Sequence, residues 1–177
     1  MSETLAEPIP TIAQPAETFE ALYRRAFPRV YAYVASLLRD RAAAEDVTSL
    51  AFERAYRRRR GYKRSRGTPE AWLFGIARNA ALDELRRRRR RASLDADVAD
   101  VWSHTPDEHA ELALRRSVVR AALGRLDARE RELVALKYAG GLTNAEIARV
   151  VGISESNAGT KLHRTLEKLR RECHDDA

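Results

Sequence analysis

Apolar residues recur at helical spacing along most of the chain, and no segment alternates with period two for long enough to be a strand. Phe19, Leu22, Tyr23, Ala26, Val30, Tyr33, Val34 and Leu37 predict a first helix over 17–38, with Pro28 inside it as a kink or a break. A second helix is expected over 42–59. Glu45 and Asp46 lie in its first turns and arginines 57–60 in its last, the order the helix dipole favours. Residues 61–67 form a basic loop. Thr68 then caps a third helix with Pro69 at its first position and Glu70 next, running to about residue 90.

Four capping signatures follow: TPDE at 105–108, DARE at 127–130, TNAE at 143–146 and SESN at 154–157. They predict a helix after Thr105, a second ending before Gly140 and Gly141, a short one ending at Gly152, and a last one to about residue 171. The expected fold is all-α, with two small helical domains at 17–91 and 105–171 joined by a flexible linker at 92–104. Residues 1–16, with three prolines, read as a disordered tail and 172–177 as a second tail. Each domain is small enough for its core to be marginal alone, so we expect it to be completed against a partner.

Charge sharpens this division. The 177 residues carry a formal net charge of +7, unevenly placed. Residues 56–91 hold 14 bases and three acids, whereas 92–112 hold six acids and no base. The linker is therefore an acidic tether behind a basic block. Of the 33 bases, 29 are Arg, whose planar fork binds phosphate bidentately and stacks on bases. The six consecutive arginines at 86–91 cover every side of a helix, so we expect that end to project toward a phosphate backbone.

Residues 142–166 read as a helix-turn-helix. Ile147, Ala148 and Val151 share one face of the short helix, and Gly152 stands at the turn. On the last helix Ala158, Leu162, Leu166 and Leu169 form an inner stripe. Asn157, Thr160, Arg164 and Arg171 lie opposite, with His163 at one edge and Lys161 at the other. Short polar side chains plus Arg on one outward face suit the major groove; an ordinary helical hairpin with a solvated face is the plainer alternative. On the third helix Trp72, Asn79, Asp83 and Arg86 fall on a strip beside the apolar stripe of Leu73, Ile76, Ala77 and Ala80. Such a strip can stack on and hydrogen-bond unpaired bases. Equally, Trp72 can be core, Asn79 can satisfy a loop carbonyl and Asp83 can pair with Arg86 or Arg87.

Three motifs in this order resemble a bacterial RNA polymerase sigma factor of the extracytoplasmic-function group. AEDVTSLAFERAY at 44–56 is similar to the helix that docks on core polymerase. AWLFGIARNAALDELRR at 71–87 resembles the motif that melts and reads the −10 element. LTNAEIA at 142–148 through KLHR at 161–164 resembles the −35-reading helix-turn-helix. The resemblance covers 19–171 and implies partners, namely core RNA polymerase, promoter DNA and an anti-sigma factor. It implies core docking by Glu45, Asp46 and Phe52. Contacts to −10 single-stranded DNA fall to Lys63, Arg64, Trp72, Asn79, Asp83 and Arg86, with the loop 61–68 and Asn79 holding a flipped base. Contacts to the −35 duplex fall to Lys137, Asn157, Thr160, Lys161, His163 and Arg164. The chain departs from the family pattern at Ser49, Ala158 and Gly159, so promoter sequence does not carry over.

An enzyme acting on nucleic acid is disfavoured. The four histidines are scattered without metal-ligand spacing, and carboxylates cluster only in the tether. The sequence therefore asks for no cofactor and no metal. A duplex-binding regulator working without polymerase is the runner-up, but it gives no reason for the strip on the third helix. The single cysteine, Cys173, cannot form an internal disulfide. No apolar run is long enough for membrane insertion and no secretory signal opens the chain, so the cytoplasm is the expected compartment.

Overall fold

The structure, a computed structural model, describes residues 18–92 and 110–175. All regular structure among them is helical: α1 (Phe19–Leu38), α2 (Arg41–Arg58), α3 (Pro69–Ala92), α4 (Ala110–Gly124), α5 (Ala128–Tyr138), α6 (Asn144–Val151) and α7 (Glu155–Asp175). Two 3₁₀ turns, Arg59–Gly61 and Arg64–Arg66, lie between α2 and α3. Helix α3 takes in Ala92, where the tether is expected to start; the expected tail at 1–16, the rest of the tether to 104 and the capping signature at 105–108 lie outside the described residues. The last helix runs four residues further than expected, through Asp175.

Local chemistry sets the helix starts. Thr18 accepts from the Ala21 amide at 3.3 Å and Asp40 from the Ala43 amide at 3.0 Å. Asp127 with Glu130 and Thr143 with Glu146 each make a reciprocal capping box. Pro28 does not break α1. Its ring lies on the exposed side of the helix, away from the core.

In the N-terminal unit α1, α2 and α3 pack pairwise around Ala26, Val30, Val34, Ala44, Ala51, Leu73, Phe74 and Ala77, all fully buried. The arginine run does not project whole. Arg88 folds back onto the α1–α2 corner, pairing with Asp40 at 2.9 Å and with Glu84 at 3.1 Å. One side of α3 packs against that corner, which brings a single member of the run to two carboxylates. Arg86 and Arg87 also pair within the helix, while 89–91 are exposed.

The C-terminal unit, α4 to α7, does not hang free. Helix α5 packs on α1 and α6 on α3, so the apolar core is continuous across both units. The partner expected to complete each small core is, in this arrangement, the other half of the same chain.

Candidate nucleic-acid interface

Helices α6 and α7 form the expected helix-turn-helix. Gly152 takes φ +79°, where a Cβ is strained, and lets its amide close α6 onto the Ala148 carbonyl. Ser154 accepts from the Asn157 amide at 3.2 Å and starts α7. Ala158 and Leu162 are buried beneath, and Thr165 turns its hydroxyl inward to the Lys161 carbonyl at 2.9 Å. Lys168 pairs with Glu130 at 2.8 Å and Arg125 with Glu172 at 2.9 Å, fastening the far end of α7. The hydrogen bond from Lys168 to Glu130 holds that ammonium above its usual pKa. Asn157, Thr160, Lys161, His163 and Arg164 are all exposed on the outward face. Lys137 is set back, half-buried, with its ammonium 3.5 Å from the Asn144 amide oxygen.

The second region surrounds the loop before α3. Gly67, at φ +130° and ψ −179°, takes a conformation open in practice to glycine alone. The Tyr62 hydroxyl donates to the Gly67 carbonyl at 2.7 Å, and the Tyr62 ring lies 5.3 Å from Trp72. Beside them is a cavity of about 370 Å³, with Lys63, Trp72, Ile76 and Asn79 on its N-terminal-unit side. Asn79 is exposed at its edge and Trp72 half-buried. Arg64 and Arg86 are exposed, and Asp83 pairs with Arg86 at 3.1 Å and with Arg54 at 3.8 Å. Arg149 and Val150 of α6 line the same cavity. A base lying against Asn79 would compete with α6 for this space.

Polar contacts hold the two units in that position. Glu132, 7% exposed, accepts from the Tyr33 hydroxyl at 3.1 Å and from Arg78 Nε at 2.7 Å. Burial, then the charge of Glu132, raises the Tyr33 phenol well above its usual pKa, so it stays a neutral donor. Arg29 donates to the Gly140 carbonyl, and the Thr68 hydroxyl donates to Glu146. Thr68 also accepts from the Ala71 amide at 3.3 Å, so the cap of α3 touches the capping carboxylate of α6. Burial opposes ionisation of Glu146. The hydrogen bonds from Thr68 and Thr143 outweigh it and hold the carboxyl below its usual range.

On α2, Glu45 and Asp46 are exposed and adjacent. Phe52 is only 4% exposed. It lies 4.8 Å from the Tyr23 ring and 5.6 Å from Phe27, as a core residue beneath the same helix.

Sequence reasoning missed Tyr33, Arg78 and Glu132. A signal existed: Glu132 adjoins the wholly buried run Leu133, Val134, Ala135 and Leu136, and Arg78 interrupts the apolar run of α3. Charges so placed need a partner from another element.

Residues 22–91 match the family model for sigma-70 region 2, and residues 116–169 match that for sigma-70 region 4. The chain is 38% identical over 160 residues to RNA polymerase sigma factor CarQ of Myxococcus xanthus, covering 87% of this chain and 88% of CarQ. It is 33% identical over 168 residues to ECF RNA polymerase sigma factor BldN of Streptomyces coelicolor, spanning 92% of this chain and 62% of BldN. Among solved structures it is similar to a chain of the complex between the sigma factor RpoE and the anti-sigma factor NepR from Bartonella quintana. There the TM-score is 0.77 at 23% identity, over 90% of this chain and 98% of that one, which is a likeness of fold.

Proposed function

The chain belongs to the extracytoplasmic-function group of RNA polymerase sigma factors, and we propose that it recruits core polymerase to promoters by reading DNA in two forms. The outward face of α7 reads the −35 duplex, with Thr160, Lys161, His163 and Arg164 toward the groove and Asn157 and Lys137 at its flanks. The loop before α3, with Lys63, Arg64, Trp72 and Asn79, holds an unpaired base of the −10 strand. Arg86 and the exposed end of the arginine run hold its backbone, and Asp83 orients Arg86. Glu45 and Asp46 dock on core polymerase, and Phe52 sets the line of α2 from below. The chain performs no chemistry of its own; the polymerase does. An anti-sigma factor is a third partner in this reading.

The observation that carries the proposal is the cavity beside Asn79. It joins an amide, an indole and a lysine, and it is large enough for a base that has left the stack. The arrangement in which Arg149 and Val150 share that cavity is then a resting form, and α6 leaves α3 when the −10 strand enters. A regulator of duplex DNA would have no use for this cavity.

The test is transcription by core polymerase with Asn79→Ala on two templates, a closed duplex promoter and one already bubbled at the −10 element. Loss of −10 sequence discrimination on both, with a further defect on the duplex, is expected. Wild-type activity and discrimination on both would reduce Asn79 to a structural amide. Asp46→Arg should abolish capture of core polymerase by a folded chain, and unchanged capture would remove the docking assignment.

A further inference from the structure

We infer that the unpaired −10 strand is read at two base sites, the second being a separate cavity of about 410 Å³ that shares Tyr62 and Trp72 with the first. The inference rests on the −10 reading proposed above and adds a site to it. This second cavity is lined by Phe19 and Leu22 of α1, by Arg59, Arg64 and Pro69, and again by Tyr62 and Trp72. Tyr62 and Trp72 are the two residues that line both cavities. Their rings lie 5.3 Å apart at 46°, and the hydrogen bond from the Tyr62 hydroxyl to the Gly67 carbonyl holds that ring in place.

The lining selects the ligand class. Aromatic and aliphatic side chains supply a stacking surface, and both charged residues are arginines. That combination takes a flat ring carrying an anion, which is a nucleotide. The volume falls in the range of small-molecule sites. Arg59 is already placed: its guanidinium lies 3.7 Å over the Tyr56 ring and its Nη1 donates to the Tyr56 carbonyl at 2.7 Å. Little side-chain freedom is then lost when a phosphate arrives. Rings shared by two neighbouring base sites can keep the two bases unstacked, as inserted side chains do elsewhere.

The two cavities differ in access. Arg149 and Val150 of α6 line the Asn79 cavity, whereas among the described residues those lining the second all come from the segment 19–72. The second site is therefore complete with the two units closed together, and it accepts its nucleotide before α6 leaves α3.

The test uses holoenzyme assembled from the full chain and core polymerase. The promoter carries 2-aminopurine at successive positions of the −10 non-template strand, one per template. Two neighbouring positions should change fluorescence. Phe19→Ala and Arg59→Glu should weaken occupancy about tenfold at one of them and spare the other. Asn79→Ala should do the reverse. Arg59 lies outside the buried core, so its variant decides the matter if Phe19→Ala disturbs α1. A response at a single position, untouched by Phe19→Ala and Arg59→Glu, overturns the second site alone. Response at no position overturns the −10 reading itself. A response that appears only once residues 1–16 are deleted would make that segment the occupant and also overturn the inference.

Discussion

The outward face of α7 and the edge of α3 are both helical surfaces proposed for DNA, yet they stand in opposite states. On α7 the side chains from Asn157 to Arg164 that point outward are exposed, with the helix anchored from behind by Lys168 and Arg125. On α3 the cavity beside Asn79 is shared with Arg149 and Val150. One helix accounts for both states, because α6 supports α7 on one side and rests on α3 on the other. In the proposed reading, duplex contact is available in the arrangement as it stands, whereas single-strand capture at Asn79 requires the units to part. On that reading the contacts that hold them together, Tyr33 and Arg78 on Glu132 among them, oppose capture of the −10 base.

The largest break in this comparison comes from Glu132→Ala. It leaves Arg78 without its carboxylate and the buried Tyr33 hydroxyl without its acceptor, at a cost of about 3 kcal/mol. The free chain should melt earlier, and labels on the two units should move apart. A −10 non-template oligonucleotide should bind at least tenfold tighter. An unchanged label distance would show that the pair does not hold the units.

Arg164→Ala should weaken −35 duplex binding by about 1–3 kcal/mol and leave core binding untouched. The loss should be the same in a Glu132→Ala background, because the two sites share no partner. Strong non-additivity, or an unaltered −35 footprint, would mean that α7 is not the independent reader.

Acidity offers a smaller lever at each end of the scale. The phenol of Tyr33 is raised in the folded chain, so its contribution is intact below about pH 10. Above that the unfolded phenol ionises first, and stability falls as pH rises. The carboxyl of Glu146 is lowered, so its contribution is present above the ordinary glutamate range and is lost as pH falls through the lowered value. The acid effect should be the smallest, since Glu146 is only partly buried, and Thr68→Val should remove part of it. Thermal unfolding across pH checks both, and Tyr33→Phe should flatten the alkaline arm.

Much of the architecture was readable in one dimension. The caps at Asp127, Thr143 and Ser154, the turn at Gly152 and the inner stripe of α7 all stand as the pattern predicted. Each depends on groups three or four residues apart, which the chain brings together as soon as a turn forms. The exposed residues of α7 followed from the same periodicity. Phe52 reads from its motif as a docking residue and lies in the core instead, because helical periodicity assigns a side but not which neighbour covers it. The arginine run likewise hid the one member, Arg88, that meets Asp40.

What periodicity could not supply was the relation between the halves. Tyr33 meets Glu132 across 99 positions, Thr68 meets Glu146 across 78, and Arg78 meets Glu132 across 54. Such pairs form only when two finished surfaces dock, and docking sums many weak contacts with no mark at any one residue. Local pattern thus decided the helices, their ends and the outward face of α7. Docking alone decided that Arg149 and Val150 of α6 line the cavity beside Asn79, because the pattern within a helix marks which face is apolar but not which partner that face will meet.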